Sequence, residues 1–305
     1  MRILETIGRF ESCWSYAEVS NTLGKIAIFS STIVSALVIF VFIGVLTANS
    51  WPALSQVGSQ LFTLEWYPPG AKFGILSMLY GSAIVTLIAL LVAVPLGIMS
   101  AIYISEILDH RYKLVVKSLI EILAGIPSII YGLIGIALFS VWIGDFFDLQ
   151  SGRTLLCAGV LLGIMVLPTI ITLSDDALSH VPQEYRDAAK GLGLYPYEVI
   201  KDAVLPIAKG GVIGAVLLAF GRALGETMAV MLVIGSIDKI PGAILNVLVP
   251  GQTITSKLGR EIAEASFGSL HFSALVFMGL VLLLIVLALT SVSLFYSKTE
   301  SRLNA

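Results

Sequence analysis

The chain has 305 residues, of which 57% are hydrophobic and only 12% are charged. A soluble domain of ordinary composition carries about 25% charged residues, so a protein dissolved in water is excluded. The net charge of −2 is uninformative for such a chain, because the placement of the basic residues matters more than their sum.

Six apolar runs dominate the sequence. A helix needs roughly 20 apolar residues to cross about 30 Å of hydrocarbon, and backbone groups in lipid must be hydrogen-bonded within their own segment. Strands of a membrane barrel would alternate in hydrophobicity over about 10 residues, and these runs do not alternate. The pattern therefore predicts an all-α integral membrane protein. The predicted spans are 26–48, 78–103, 119–144, 155–173, 212–235 and 270–296.

The basic residues are distributed unevenly between the two ends of these spans. Twelve Lys and Arg residues lie before the first span, in the loops after the second and fourth spans, and at the C-terminus, against five in the other loops. The positive-inside rule assigns the richer set to the cytoplasm. Both termini and the long connection 174–211 are therefore predicted to be cytoplasmic, where a soluble partner would bind.

The second and third predicted spans contain residues that disturb a plain apolar helix. Pro95 and Pro127 lie inside these spans and predict kinks, because proline removes a backbone hydrogen bond. Glu121, near the start of the third span, follows Lys117 by four residues, which favours an ion pair between the two at the membrane interface.

The connection 174–211 has the start and stop signals of two short helices. A helical pattern begins at Pro182 and ends ten residues later between two glycines. A second helix is predicted over 195–204, ended by Pro206. Two short helices that meet at a glycine corner would form a compact knob that projects from the membrane.

The same connection carries the motif D-A-A-x3-G-x9-A-x-L-P. This motif resembles the EAA loop of binding-protein-dependent ABC permeases, although Asp187 and Ala203 replace the usual Glu and Ile. The resemblance implies a coupling helix that sits in a groove of a separate ATPase subunit, whereas the simpler alternative is a corner that only caps a helical hairpin. The residues assigned to coupling are Glu184, Asp187, Ala188, Ala189, Gly193, Leu205 and Pro206.

The fifth predicted span contains Arg222 and Glu226 in the run GRALGETMAV. Each charge costs about 2.5–3.5 kcal/mol at the centre of a membrane helix, so both are expected to face protein or water. Their spacing of four predicts a shared helical face, and the preceding Gly221 and Gly225 predict a closely packed neighbouring helix. The arginine fork suits an oxyanion, which makes the pair a candidate anion site. The alternative is an ion pair that only fixes the packing between helices.

Between the fifth and sixth spans, residues 252–266 place apolar and charged side chains at a helical period. This pattern predicts an amphipathic helix on the outer side of the membrane. The helix would lie along the interface and pack over the bundle, with a direct role as a gate as the alternative.

Three longer runs, GRALGETMAV, IPSIIYGLIG and YGSAIVTLIALLVAVPLGI, are similar to the permease subunits of phosphate importers, the PstC-type family. The resemblance implies a six-helix ABC importer permease bundle with a cytoplasmic coupling helix, in the cytoplasmic membrane of a bacterium or archaeon. It also implies that Arg222 and Glu226 lie on the phosphate path. The implied parts are a cytoplasmic tail (1–25), an anchor helix with an outer loop (26–71), a permease core (72–297) containing the coupling loop 182–206, and a second cytoplasmic tail (298–305).

The sequence lacks a G-x-x-x-x-G-K-[ST] phosphate loop, so the chain is not expected to hydrolyse ATP or to act as an enzyme by itself. The resemblance implies a second related permease chain, two ATPase subunits that bind ATP and Mg²⁺, and an external phosphate-binding protein as partners. Phosphate is the implied substrate, and no cofactor, metal ion or nucleic acid is expected on this chain. A permease for sulfate, molybdate or phosphonate is the first alternative, and a secondary anion transporter is the second.

Overall fold

The computed structural model describes residues 2–242 and 246–303, and the side chains of residues 24–242 and 246–291. The chain divides into two compact units, Met1–Asn49 and Ser50–Ala305. The first unit contains most of helix α1 (Arg2–Gln56), whose apolar stretch begins at Gly24.

The second unit is mostly helical. Strands β1 (Trp66–Tyr67) and β2 (Lys72–Phe73) form a small antiparallel hairpin in which Trp66 is opposite Phe73. The α-helices are α2 (Leu76–Ile102), α3 (His110–Ala124), α4 (Ser128–Ile134), α5 (Ser140–Phe146), α6 (Leu155–Ser179), α7 (Gln183–Gly191), α8 (Pro196–Glu198), α9 (Leu205–Gly225), α10 (Met228–Val233), α11 (Ile254–Glu261) and α12 (Leu270–Leu303). Short 3-10 helices cover Gly58–Phe62 and Pro68–Gly70, and π-helical turns cover Tyr103–Ile107, Gly135–Phe139 and Val199–Val204.

Six segments of the described residues are long and apolar enough to cross a membrane. They confirm the predicted all-α membrane fold and its six spans. The first, second, fourth and sixth segments match the predicted spans apart from their ends. The segments are Gly24–Gln56, Leu76–Ile107, Ser128–Phe146, Leu155–Ser179, Pro196–Gly225 and Leu270–Ser291.

The third span begins later than the sequence analysis predicted. Helix α3 ends at Ala124, and the chain turns at Gly125 before α4 begins. Pro127 occupies the N-cap position of α4, where a missing backbone N–H costs little, so the predicted kink inside the span is wrong. The predicted start at residue 119 is wrong because two apolar helices in succession give one continuous hydropathy signal.

The fifth span differs from the prediction at both ends. Towards its start, α8 continues through the π-helical turn into α9, so the predicted second short helix is part of a span. Pro206 lies in the first turn of α9 and does not end a helix. The altered hydrogen bonding of a π-helical turn accommodates the missing N–H at this point. Towards its end, α9 stops at Gly225, and α10 begins only at Met228.

The centre of the second unit is the contact between α2 and α6, which pack through small residues. A Cβ atom at Gly159 would lie 2.6 Å from Ile88, and one at Gly163 would lie 3.0 Å from the carbonyl oxygen of Ala89. Small residues allow membrane helices to approach closely, which explains the glycines at these positions. The largest cluster of buried apolar side chains surrounds this contact.

Two smaller apolar clusters lie at opposite ends of α2. One surrounds α11, the hairpin and the start of α12, and the other surrounds α7 and the last residues of α2 and α6. We refer to these as the α11 end and the α7 end of the bundle.

Candidate functional site

Arg222 lies in a groove between α6, α9 and α12. It occupies the last turn of α9, where a positive charge is favourable beside the unpaired carbonyl groups of the helix end. Its Nη1 donates a hydrogen bond of 2.7 Å to Oγ1 of Thr169 on α6. The groove has a volume of about 520 Å³. Its mostly apolar lining consists of Thr169, Gly214, Leu217, Leu218, Gly221, Arg222, Val286 and Thr290.

The guanidinium group of Arg222 lies near the middle of the bundle. Helix α6 has 25 residues. At a rise of 1.5 Å per residue, Thr169 is about 21 Å from the Leu155 end of α6 and about 15 Å from the Ser179 end. Within the part of the chain that the structure describes, Thr169 is the only hydrogen-bond partner of this guanidinium group. Most of its five donors are therefore available to a bound oxyanion.

Glu226 does not share a helical face with Arg222, and this part of the prediction is wrong. Because α9 ends at Gly225, the backbone of Glu226 is extended, with φ −68° and ψ 127°. Its Oε1 accepts a hydrogen bond of 3.3 Å from the backbone N–H of Ala229 at the start of α10. Its carbonyl oxygen accepts one of 2.7 Å from Oγ1 of Thr255 on α11. Among the described residues, no ion pair joins Arg222 to Glu226.

The close packing predicted beside Gly221 and Gly225 is not found among the residues that the structure describes. A Cβ atom at either glycine, or at Gly214, would meet no other atom within 4 Å. Leu218 is 60% exposed and lines the same groove. Within the described residues of the second unit, this face of α9 is therefore uncovered.

The residues assigned to coupling lie on α7 and on the two segments that follow it. On α7, Glu184, Asp187 and Ala188 are exposed, whereas Ala189 is 6% exposed and packs into the cluster at the α7 end. Gly193 has a φ of +83°, a conformation that favours glycine over residues with a side chain. The predicted first helix and its glycine corner are therefore confirmed.

The turn after α7 presents large apolar side chains. Leu192 is 84% exposed, and the rings of Tyr195 and Tyr197 stack with their centroids 6.4 Å apart. Leu205 and Pro206 begin α9, with Leu205 half-buried and Pro206 exposed. Exposed apolar groups beside exposed carboxylates are typical of a protein-binding surface.

Arg186 on α7 is a residue whose contacts the sequence analysis missed. Its Nη2 donates to Oε1 of Glu106 at 2.7 Å, and its Nε donates to Oε2 of the same carboxylate at 3.1 Å. It also donates to the carbonyl oxygens of Leu178 at 2.9 Å and Val181 at 2.5 Å. The hydrogen bond to Glu106 raises the pKa of Arg186, so it is charged at every physiological pH. The sequence held one signal for these contacts. Arg186 is three residues before Ala189, which is buried, so both lie on one face of α7.

The predicted ion pair between Lys117 and Glu121 is not formed. Nζ of Lys117 is in contact with Oδ2 of Asp175 and lies 3.8 Å from Oδ1 of Asp176. The side chain of Asp175 is only 2% exposed. A buried carboxylate on α6 attracts the lysine more strongly than an exposed one on its own helix, so Lys117 fastens α3 to α6.

A second group of charges, also missed by the sequence analysis, lies at the α11 end. Nζ of Lys257 is 2.5 Å from Asp238 and 2.6 Å from Glu261, and the lysine side chain is 6% exposed. Glu261 also accepts hydrogen bonds from Trp66 at 2.9 Å and from His271 at 3.0 Å. Burial raises the pKa of Glu261, but the hydrogen bond and charge of Lys257, with the bonds from His271 and Trp66, lower it below its ordinary value. This network joins α11 to the hairpin and to α12, and α11 covers the first part of the amphipathic helix predicted within 252–266.

Comparison with known sequences places this geometry among transport proteins. Residues 93–302 match the family described as "binding-protein-dependent transport system inner membrane component". The phosphate transport system permease protein PstC of Mesorhizobium japonicum is 36% identical over 292 residues, which is 88% of this chain and 88% of the relative. PstC of Pasteurella multocida is also 36% identical, over 84% of this chain and 86% of the relative. The probable PstC of Methanocaldococcus jannaschii is 32% identical over 92% of this chain and 96% of the relative.

Solved structures share the fold at low sequence identity. A chain of the MetNI methionine ABC transporter in an inward-facing conformation superposes with a TM-score of 0.54 and 16% identity, over 74% of this chain and 94% of that chain. A chain of an amino acid ABC transporter gives a TM-score of 0.51 and 14% identity, over 74% of this chain and 92% of that chain. The helical arrangement described above is therefore that of ABC transporter membrane subunits.

Proposed function

Since this chain belongs to the family of binding-protein-dependent transport system inner membrane components, and within it to the PstC-type phosphate permeases, we propose that it forms half of the membrane pathway of an ATP-driven phosphate importer. The observation that carries this proposal is the guanidinium group of Arg222, held near mid-bundle in a groove with most of its donors free. A fixed positive charge in an apolar groove attracts an anion and repels cations.

Arg222 binds phosphate in transit. Its charge is permanent, its planar fork matches two oxygens of a tetrahedral anion, and its bond to Thr169 fixes its direction. We place Glu226 further along the same path, at the break after α9, where its negative charge limits how tightly the anion is held. A site that binds too tightly does not conduct.

The uncovered face of α9 packs against a second, related permease chain. Gly214 and Gly221 leave room for a helix to approach, and the groove that contains Arg222 is open on this side. The pathway is then enclosed between two permease chains, with one wall supplied by each.

The α7 end faces the cytoplasm, together with both termini, and binds the ATPase subunits that hold ATP and Mg²⁺. The larger number of Lys and Arg residues on this side supports the assignment. Exposed Glu184, Asp187 and Ala188, with the apolar turn at Leu192, form the contact surface. The α11 end faces outward, towards an external phosphate-binding protein. ATP-driven closure of the ATPase pair moves α7, and the spans then open the pathway alternately to the two sides.

Reconstitution tests the proposal. The chain, its partner permease, the ATPase subunits and the binding protein are incorporated into lipid vesicles, and uptake of labelled phosphate is measured with and without ATP. Arg222→Ala should lower uptake by about 10- to 150-fold at equal protein level, equivalent to one charge-assisted hydrogen bond of about 1.5–3 kcal/mol. Arg111→Ala removes an exposed arginine outside the groove and should leave uptake unchanged.

Two results would contradict the assignment. Uptake by Arg222→Ala equal to that of the parent would remove Arg222 from the path. Stimulation of ATP hydrolysis by sulfate with its binding protein, and not by phosphate with its own, would show a permease for a different oxyanion with the same architecture.

A further inference from the structure

Helix α7 has few attachments to the rest of the bundle. Within α7, whose residues are all described, Ala189 is the only buried residue. The other firm attachment is the guanidinium group of Arg186, whose side chain is 12% exposed. Because α7 is held by one small apolar side chain and one ion pair, both the position and the direction of this helix depend on the ion pair.

Arg186 joins three separate segments through four hydrogen bonds. Two go to the carboxylate of Glu106, in the π-helical turn that ends the second span, and this carboxylate is 9% exposed. The other two go to the carbonyl oxygens of Leu178, in the last turn of α6, and Val181 just beyond it. The bidentate pair restricts rotation as well as distance, because both oxygens meet a planar fork.

The two carbonyl bonds have a physical role of their own. The last carbonyl groups of a helix have no partner within the helix, and a positive charge near them is favourable. Arg186 therefore adds a charged hydrogen bond to the Leu178 carbonyl group, which also accepts from the backbone N–H of Val181 at 3.2 Å, while it holds the end of α2. Breaking the bidentate pair would leave the nearly buried carboxylate of Glu106 with the hydroxyl group of Ser105 as its remaining side-chain donor among the described residues. The ends of the two most closely packed spans thus follow the position of one side chain on α7.

We infer that Arg186 and Glu106 are the positioning residues that transmit movement of α7 to the ends of α2 and α6. The inference rests on the proposed function, since it requires α7 to be the helix that the ATPase subunits move. Contact residues such as Asp187 hold the ATPase, whereas Arg186 faces the bundle. Loss of the link should therefore separate ATP hydrolysis from transport and leave ATPase binding intact.

The test measures phosphate carried per ATP hydrolysed in the reconstituted complex. Arg186→Gln and Glu106→Gln should each lower this ratio by about 5- to 100-fold, the range of a coupling between two sites, with ATPase subunits still co-purifying in full amount. The double variant should be no worse than either single variant, because both remove the same interaction. Arg186→Lys keeps the charge but not the planar fork and should give an intermediate ratio. Arg111→Gln removes an exposed basic side chain and should match the parent.

The outcomes separate this inference from the function on which it rests. A parent complex that carries no phosphate contradicts the proposed function. A parent complex that carries phosphate, with an unchanged ratio in Arg186→Gln, contradicts the link alone. The link is also wrong if transport and hydrolysis fall together in proportion, or if the effects of the two single variants add in the double variant, since either result indicates a contact or folding role.

Discussion

Two lysines at the α11 end form ion pairs of equal length in different surroundings, and replacing each shows how much burial contributes. Nζ of Lys257 lies 2.5 Å from Asp238, and the lysine side chain is 6% exposed. Nζ of Lys72 lies 2.5 Å from Glu65, and its side chain is 57% exposed. Because the distances match, a difference between Lys257→Met and Lys72→Met reports the buried surroundings of Lys257 together with its second ion pair, to Glu261.

The structure sets the expected size of each effect. Removing one partner of a fully buried ion pair costs about 3–5 kcal/mol, because the other charge is left in a medium of low polarity. Glu261 retains its bonds from Trp66 and His271, and the side chain of Asp238 is 24% exposed, which reduces the loss. We therefore expect Lys257→Met to lower the free energy of unfolding by about 2–3 kcal/mol. Exposed pairs contribute little, so Lys72→Met should be indistinguishable from the parent.

Thermal unfolding of the detergent-purified chain measures both effects. At roughly 2 °C per kcal/mol for a chain of this size, Lys257→Met should lower Tm by about 4–6 °C. Adding Asp238→Asn to Lys257→Met should restore part of the loss, because it removes a stranded carboxylate. Equal changes in Tm for the two single lysine variants, or no change for Lys257→Met, would refute the argument that burial decides.

Two further predictions concern the same unit. The lowered pKa of Glu261 stabilises the folded chain fully above about pH 4.5, and the contribution is lost as the pH falls through the folded pKa, so the Tm difference between the parent and Glu261→Gln should be constant above about pH 4.5 and shrink below it. Lys257 and His271 are the charged and titratable groups in contact with this carboxylate, and a Tm difference that does not shrink on acidification below about pH 4.5 would contradict the assignment. Gly159→Ala should cost about 1–3 kcal/mol by overpacking the contact between α2 and α6, whereas Gly214→Ala should not destabilise the single chain and should add up to about 1 kcal/mol of helix propensity.

The sequence predicted the features that depend on composition and local period. Six spans, the first helix of the coupling loop and the amphipathic helix in 252–266 each follow from residues close together in the chain. The corner at Gly193 was predictable for the same reason, because glycine adopts a positive φ more easily than residues with a side chain.

The sequence did not predict where apolar helices change direction. Hydropathy measures how apolar the side chains are and carries no information on the backbone conformation. The turn at Gly125 and the break after Gly225 lie inside long apolar runs and were therefore not predicted. The spacing of Arg222 and Glu226 was interpreted as one helical face only because an unbroken helix was assumed. Gly225 itself, a residue of low helix propensity beside a charge, was the available warning.

The sequence analysis also did not predict contacts between segments that lie far apart in the chain. Arg186 and Glu106 are 80 residues apart, and Lys257 on α11 is 19 residues from Asp238. A helical period gives the face on which a residue lies but not which neighbour meets that face or at what height. Lys117 illustrates this limit, because its nearest carboxylate in the sequence was not the one it contacts in the fold.

The break between α9 and α10 leaves backbone groups that lipid cannot satisfy. Non-helical backbone at membrane depth is tolerated only where protein or water supplies the missing bonds. The hydroxyl group of Thr255 donates one such hydrogen bond to the carbonyl oxygen of Glu226. Thr255 lies in the first turn of α11, whose first residues are buried. Helix α11 therefore stabilises the break in the helix that follows Arg222. A movement of α11 would therefore change, through this one hydroxyl group, the backbone four residues after Arg222.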